Sequence, residues 1–325
     1  MNKGVSIILC TYNGFDKLAN TLNQIISQKS SYPWELLVID NASTDNTFEF
    51  VTTFLSKSTI DYRILSCKLP GKMNAFWLGI NESKYEYVLD CDDDNHLYSD
   101  YIQIGLEILY KNKIIGALGG KGIPKTKIDL PDWFDTFGKS YAIGKQSDCS
   151  GELIQHPYLY GAGCFYKKGP LISIQSNGFS SILTCRIGNS LSSGGDTELC
   201  MVLSLLGYQI WFEESLVFEH EIHDSKLNWH FFLKLKRGIS SSYPLLNSYD
   251  INNNKTINKF KISLFKNLFI VIKGVIKSYV FCCFKNDRNN QLSRIITVTK
   301  FKSFFANYKM TIVSFEKNKS IFKSF

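Results

Sequence analysis

No C-x-x-C pair occurs among the nine cysteines and their number is odd, so neither a disulfide framework nor a zinc ribbon is expected, and a reducing compartment is. No G-x-G-x-x-G follows the first apolar run and no G-x-x-x-x-G-K-[ST] occurs, which removes the signatures of dinucleotide-binding and P-loop proteins. Apolar runs long enough to span a bilayer are missing, because lysines interrupt each candidate in the tail. Met1-Asn-Lys passes straight into Val5–Cys10, which is too short for a signal peptide's apolar region and lacks its cleavage site, so secretion is not expected. No internal repeat is visible. Acids are scarce at one end: from Lys255 to Phe325 there are 15 Lys and Arg against two acidic residues.

The remainder is ordinary for a folded protein. With 44% hydrophobic and 20% charged residues, the 325 positions can build a sizeable core in one large or two modest domains. The net charge of +8 conceals an asymmetry, since residues 1–254 carry 22 basic and 27 acidic side chains. The positive charge belongs to the tail and suits an anionic partner there.

Residues 4–10 form an apolar run bounded by Thr11-Tyr12-Asn13-Gly14, and Trp34–Asp40 a second, bounded by Asn41-Ala-Ser-Thr-Asp45. Tyr62–Ser66 and Tyr85–Asp90 read as a third and fourth strand, with helical spacing over Asp16–Gln28, Thr47–Leu55 and Gly71–Asn81. Such alternation calls for a parallel sheet covered on both faces. Ligands of these sheets bind beyond the carboxyl ends of the strands, so Thr11, Asp40 and Asp90–Asp94 would face one crevice.

Tyr87-Val-Leu-Asp-Cys-Asp-Asp-Asp-Asn95 runs a buried strand into a cluster of carboxylates. Extended alternation would put Asp90, Asp92 and Asp94 on one side and Cys91 and Asp93 on the other. Carboxylates this close repel unless a cation compensates, and hard oxygen ligands suit Mg²⁺ or Mn²⁺. A solvated acidic turn would carry the same letters, but three polar strand ends in one crevice argue for a site. The interval Lys121–Gln155, irregular and rich in Gly, Pro, Trp and Phe, is expected to wall the crevice or to cover the sheet. Trp133, Trp211 and Trp229 are core residues by default.

In order and spacing, Val5-Ser-Ile-Ile-Leu-Cys-Thr-Tyr-Asn-Gly14, Leu37-Val-Ile-Asp-Asn-Ala-Ser-Thr-Asp45, Pro70-Gly-Lys-Met-Asn-Ala75 and Asp92-Asp-Asp-Asn95 resemble the family 2 glycosyltransferases of GT-A fold. Ile115–Lys121, Leu130-Pro-Asp-Trp-Phe134, Tyr160-Gly-Ala-Gly163, Ser193-Gly-Gly-Asp-Thr-Glu-Leu199 and His220 look like the bacterial branch that builds surface polysaccharides. The resemblance covers about residues 4–243. It implies a GT-A α/β domain over 1–243 that moves a sugar, with inversion, from a UDP- or dTDP-sugar to a lipid-linked saccharide.

By the same resemblance, Thr11, Tyr12, Asn13 and Asp40 match the base-binding positions. A carboxylate at Asp40 accepts from the imide N–H of uracil or thymine. Lys72 stands beside the family's Arg register, which Met73 occupies, and is expected at the diphosphate or ribose. The D-x-D is Asp90-Cys-Asp92 or Asp92-Asp-Asp94, and Asn95 favours the second. Asp92 then faces ribose or donor sugar with Asp93 nearby, while Asp94 and His220 hold Mn²⁺ or Mg²⁺; His96 and His223 compete for the histidine's place. Gly161, Ala162 and Gly163 would line the donor sugar, and Lys167-Lys168 face phosphate or only water. Asp196 matches the general base, although Gly195 replaces the usual Glu. Asp40, Asp45 and Asp196 also suit helix N-caps.

Residues 244–325 form a separate basic, helical segment in this reading. At about 100° per residue, Lys255, Lys259, Lys266, Lys273 and Lys277 fall within about 40°, opposite a broad face of Phe260, Leu264, Phe265, Leu268, Phe269, Ile272, Ile276 and Phe281. That pattern suits an interfacial helix on an anionic membrane, or a helix packed on the catalytic domain. A nucleic-acid partner is not expected, because it would not need the apolar face. The expected place is the cytoplasm, peripheral on the inner face of the cytoplasmic membrane. A metal-dependent nucleotidyltransferase would also want strand-end carboxylates, but should have a Gly-rich basic loop near the first strand. A non-catalytic adaptor would use the tail, yet intact Asp94, Asp196 and His220 speak for chemistry.

Overall fold

A computed structural model describes residues 2–186, 191–251, 256–284, 287–323 and 325. Lys255 lies outside them, as does the side chain of Phe281. The chain divides into two compact units, Met1–Ser176 with Gly195–Leu227, and Asn177–Gly194 with Asn228–Phe325.

In the first unit, β1 (Asn2–Thr11), β2 (Trp34–Asp40), β3 (Tyr62–Ser66) and β4 (Tyr85–Asp92) run parallel in the order β3-β2-β1-β4. They are joined by α1 (Leu18–Ile26), α2 (Thr47–Leu55) and α3 (Lys72–Glu82). Ile7, Ile8, Leu9, Leu36–Ile39, Val88 and Leu89 are fully buried, as expected of strands covered on both faces. Each such side chain contributes about 1.5–3 kcal/mol. Pairing of Thr11 with Asp40 and of Cys10 with Asp92 brings three polar strand ends level.

After β5 (Asn95–Leu97), α4 (Tyr101–Lys111) and β6 (Ile115–Lys125) come α5 (Phe134–Phe137), a 3-10 turn at Gly138–Tyr141 and β7 (Gly151–Glu152). β8 (Cys164–Lys167), α6 (Lys168–Ser176), α7 (Gly195–Leu205) and β9 (Gln209–Glu221) complete the unit. β8 is antiparallel to β4 and to β6, β9 is parallel to β6, and β5 is antiparallel to β9. The described residues therefore form a nine-stranded mixed sheet, parallel through its first four strands and again where β6 pairs β9.

The interval expected to be irregular from Lys121 begins instead as strand, because β6 pairs β9 as far as Lys125. Pro124 is tolerated there: β8 pairs β6 only at Ala117 and Leu118, which leaves a side of the strand where a missing N–H costs no ladder bond. Trp133, Phe134 and Tyr141 then gather as a buried aromatic cluster, so Trp133 is a core residue.

In the second unit, α8 (Trp229–Ser241) and α9 (Tyr243–Leu246) pack on α11 (Arg288–Phe322), as does α10 (Ile257–Phe284). The basic tail, read from sequence as one amphipathic helix, is a hairpin of two. Asp287 caps α11 by accepting from the Asn290 N–H at 2.9 Å. Phe260 stacks on Phe315 at 3.8 Å, and Ser278 meets Thr297, so the two helices run antiparallel. Phe260, Leu264 and Leu268, counted above in the open apolar face, are buried against Phe304 and Phe315. Among the described residues no helix is long and apolar enough to cross a membrane.

α3 lies so close on the sheet that a Cβ at Gly79 would stand 2.5 Å from Ile8 Cγ2. Gly79→Ala should destabilise the protein by about 1–3 kcal/mol through overpacking, despite the better helix propensity of alanine. In an Ile8→Ala background the same change should cost less, and urea titration of the four chains measures the coupling.

Candidate active site

The aspartates of the β4 end meet cations from three different parts of the chain. Lys72, the first residue of α3, places its Nζ 3.0 Å from Asp90 Oδ2 and 2.6 Å from Asp92 Oδ1. Burial works against that ammonium, but Asp90 and then Asp92 outweigh it and hold the amine charged well above its usual range. Burial pushes the Asp90 carboxyl up to about 7 in spite of Lys72. Asp92 is the more exposed of the two.

The expected alternation does not carry to Asp94, because β4 ends at Asp92 and Asp93-Asp94 form a turn. Asp93 points the other way, accepting from Thr11 Oγ1 at 2.8 Å and from Lys17 Nζ at 2.8 Å. Asp94 faces His220, with Oδ1 3.3 Å from Nε2, while Lys226 Nζ lies 3.4 Å from Oδ2. Asp90 and Asp92 thus share Lys72, whereas Asp93 and Asp94 have separate partners.

The Gly161–Gly163 turn brings Asp196 to this cluster. The Gly161 N–H donates to Asp196 Oδ2 at 3.0 Å, and a Cβ on Gly161 would lie 3.2 Å from both Asp196 Cβ and Asp90 Oδ2. Gly163 has φ +65, and a Cβ there would meet the Tyr101 hydroxyl at 2.6 Å, so glycine is required for both backbone and space. α7 opens at Gly195, which puts Asp196 in the first turn with Oδ1 accepting from the Thr197 N–H at 2.8 Å. Those bonds fix the carboxylate and leave lone pairs on both oxygens for a substrate proton.

Asp94 and His220 have the chemistry of a cation site. His220 Nδ1 lies 2.7 Å from the Tyr141 carbonyl, which assigns the ring proton to Nδ1 in the neutral form and turns the Nε2 lone pair toward Asp94. Mg²⁺ and similar ions take one or two protein ligands and complete their shell with phosphate and water, so these two donors fit Mn²⁺ or Mg²⁺. Among the described residues no group of three or more His, Cys, Asp and Glu side chains is arranged to hold a metal. His223 caps a turn through Ser225, and buried His96 sits against Lys125 and Glu221. Burial and then Lys125 keep the His96 ring below its usual range.

On the other side of the sheet ends, the loops after β1 and β2 are tied together. Asn13, at φ 48, accepts from the Thr44 N–H at 2.8 Å, and its own N–H donates to Ser43 Oγ at 3.0 Å. Tyr12 is exposed, and Asp40, nearly buried, accepts from the Ser43 N–H at 3.3 Å. Asp40 is not a helix cap; Asp45, one residue before the Asn46 N-cap of α2, accepts from the Thr47 N–H at 3.1 Å. Lys167 and Lys168 donate to the carbonyls of Lys113 and Ser83 near the start of β4, away from the strand ends, which removes them as phosphate ligands.

Sequence reasoning missed Lys17, Lys226 and the Tyr141 carbonyl. None carries a local signal, since each reaches its partner across 76 or more positions. Pairing every acid of the Asp90–Asp94 run with a basic residue near another strand end would have pointed to Lys17.

The sequence profile of glycosyl transferase family 2 matches residues 6–174. Poly-beta-1,6-N-acetyl-D-glucosamine synthase of Staphylococcus epidermidis is 30% identical over 144 residues, which are 44% of this chain and 34% of that protein. Chondroitin synthase of Escherichia coli is 34% identical over 132 residues, 39% of this chain and 18% of that one. The chain therefore matches about a third or less of the length of these relatives. Among solved structures, S. aureus TarS 1-349 in complex with UDP-GlcNAc is similar with a TM-score of 0.57 at 14% identity, covering 99% of this chain and 91% of that one. This last likeness is one of fold.

The Asp90 carboxyl generates a pH dependence. Its native value of about 7 lies above the unfolded value of about 3.9, so the native state holds a proton that the unfolded chain lacks between those limits. The contribution to stability is full below the unfolded value and is lost as pH rises through about 7. Urea midpoints at pH 5 and pH 8 should differ in that direction, and Asp90→Asn should make the difference smaller.

Proposed function

Because the chain belongs to glycosyltransferase family 2, we propose that this site transfers one sugar from a UDP- or dTDP-sugar to a saccharide acceptor, with inversion, in the synthesis of a surface polysaccharide. The observation that carries the reading is the meeting of Asp196 with the β4 carboxylates across Gly161. A base on one side of that glycine faces charge-handling groups on the other, as a displacement at the anomeric carbon requires.

In the step proposed, Asp196 accepts the proton of the acceptor hydroxyl as the new C–O bond forms and the bond from the anomeric carbon to the phosphate oxygen breaks, releasing the nucleoside diphosphate. Asp40, Tyr12 and Asn13, with Thr11 beneath them, hold the base; a carboxylate at Asp40 pairs with an imide N–H, which favours uracil or thymine. Asp92 orients the ribose or sugar, and Lys72 serves the diphosphate. Asp93 shapes the turn through Thr11 and Lys17, and Gly161, Ala162 and Gly163 let the sugar approach the backbone. Asp94 and His220 would hold Mn²⁺ or Mg²⁺, which neutralises charge on the departing diphosphate.

The second unit suggests where this happens. On α10, the exposed side chains Ile262, Phe265, Phe269, Ile276 and Val280 fall within an arc of about 60°, bordered by Lys259, Lys266, Lys273 and Lys277. Apolar side chains edged by ammonium groups suit the acyl and headgroup layers of an anionic leaflet. The proposal therefore includes peripheral attachment to the inner face of the cytoplasmic membrane and a lipid-linked acceptor there.

Asp196→Asn should keep donor binding and lower transfer by about 10² to 10⁴-fold, because the amide keeps the shape but takes no proton. Near-normal transfer by this variant would assign the base elsewhere. Asp94→Ala should remove the Mn²⁺- or Mg²⁺-dependent part of UDP or dTDP binding in calorimetry, whereas unchanged metal dependence would place the cation on other ligands.

A further inference from the structure

The transfer step proposed for this site leaves Lys226 without a role, although its ammonium stands at Asp94. Lys226 ends a 3-10 turn, Asp224–Lys226, that follows β9. Its main chain is fastened on both sides, the N–H donating to the His223 carbonyl at 2.8 Å and the carbonyl accepting from the Tyr141 hydroxyl at 2.8 Å. Tyr141 is buried beside Trp133 and Phe134, and its own carbonyl orients His220. One tyrosine therefore places two side chains that border Asp94, His220 at Oδ1 and Lys226 at Oδ2. The ammonium itself is loosely engaged. It stands 3.4 Å from its carboxylate, against 2.6 Å for Lys72 at Asp92 and 2.8 Å for Lys17 at Asp93. A charge-assisted bond at full strength is about 2.7–2.9 Å long, so of these three lysines Lys226 gives up least on leaving its acid.

We propose that Lys226 is a ligand of the donor's diphosphate and balances the charge of the nucleoside diphosphate as it departs. The assignment rests on the transfer reading and adds a residue to it: Lys72 serves the diphosphate from Asp90 and Asp92, and Lys226 serves it from Asp94. In the structure Lys226 balances Asp94. A divalent cation on Asp94 and His220 would take over that part and repel the ammonium, because like charges this close oppose one another. The anion that such a cation brings with it is the diphosphate, so the displaced ammonium has a partner within its reach. A flexible four-carbon stem on a fixed main chain lets the tip turn from one anion to the other without moving the turn that carries it. The diphosphate gains negative charge as its bond to the sugar breaks, which strengthens its hold on a nearby cation at that moment.

Calorimetry on the full chain with Mn²⁺ present, using UDP, dTDP and the nucleosides uridine and thymidine, tests the assignment. Lys226→Met should weaken binding of the preferred diphosphate about tenfold, the factor corresponding to loss of a charge-assisted hydrogen bond, and should leave its nucleoside unaffected. Lys226→Arg should retain most of the affinity, and thermal unfolding of both variants checks that they are folded. A lysine that only balances Asp94 predicts the reverse, since its loss frees that carboxylate for the cation; diphosphate binding by Lys226→Met as tight as in the native chain, or tighter, overturns the proposal. Equal weakening of nucleoside and diphosphate overturns it as well, because a disturbed turn rather than a missing charge would then be the cause. A native chain that binds neither diphosphate brings down the transfer reading itself, a result distinct from a native chain that binds one and a variant that loses nothing.

Discussion

Four aspartates within five residues cannot share a strand end without cations, and the catalytic unit is arranged around that electrostatic demand. Lys72 answers Asp90 and Asp92, Lys17 answers Asp93, and Lys226 answers Asp94. Removing one partner of a buried pair is costly, which bears most on the largely buried Lys72–Asp90 pair, whereas Lys17 and Lys226 are more exposed and their pairs are screened by water. The packing of α3 on Ile8 through Gly79 thus belongs to the site, because it delivers Lys72.

The same crowding explains the glycines across the cleft. Gly161 lies between two carboxylates that a Cβ would crowd at 3.2 Å, and its N–H is one of the donors that fix Asp196. Gly163 turns the chain in a left-handed conformation under Tyr101, whose hydroxyl donates to the Gly163 carbonyl at 2.6 Å. The Tyr141 carbonyl orients His220 in a comparable manner, with main chain again setting the direction of a side chain.

The helical unit follows a different logic. Its long helices bury Phe260, Leu264 and Leu268 against each other and leave Phe265 and Phe269 in the open, with Lys273 lying 4.6 Å from the Phe269 ring centre. One hairpin therefore provides both a core and an apolar surface. The wheel of a single helix could not separate them, because apolar residues on both sides of the lysine stripe look alike in sequence.

Much of the catalytic unit was legible in the residues alone. The runs at 4–10, 34–40, 62–66 and 85–90 are strands because continuous burial selects apolar side chains, and that signal is local. The acids at strand ends, and Gly161 and Gly163, stood out for the same reason: charge density and missing side chains are written at the position where they act. The sequence by itself determined the first four parallel strands, the composition of the crevice and the cationic tail. Only the tertiary structure decided which cation meets which acid, that Asp93 turns away from Asp92, that β6 continues past Lys121, and that the tail is a hairpin. Those outcomes depend on side chains far apart in the chain coming within a few ångströms, and no local pattern of residues encodes such a distance.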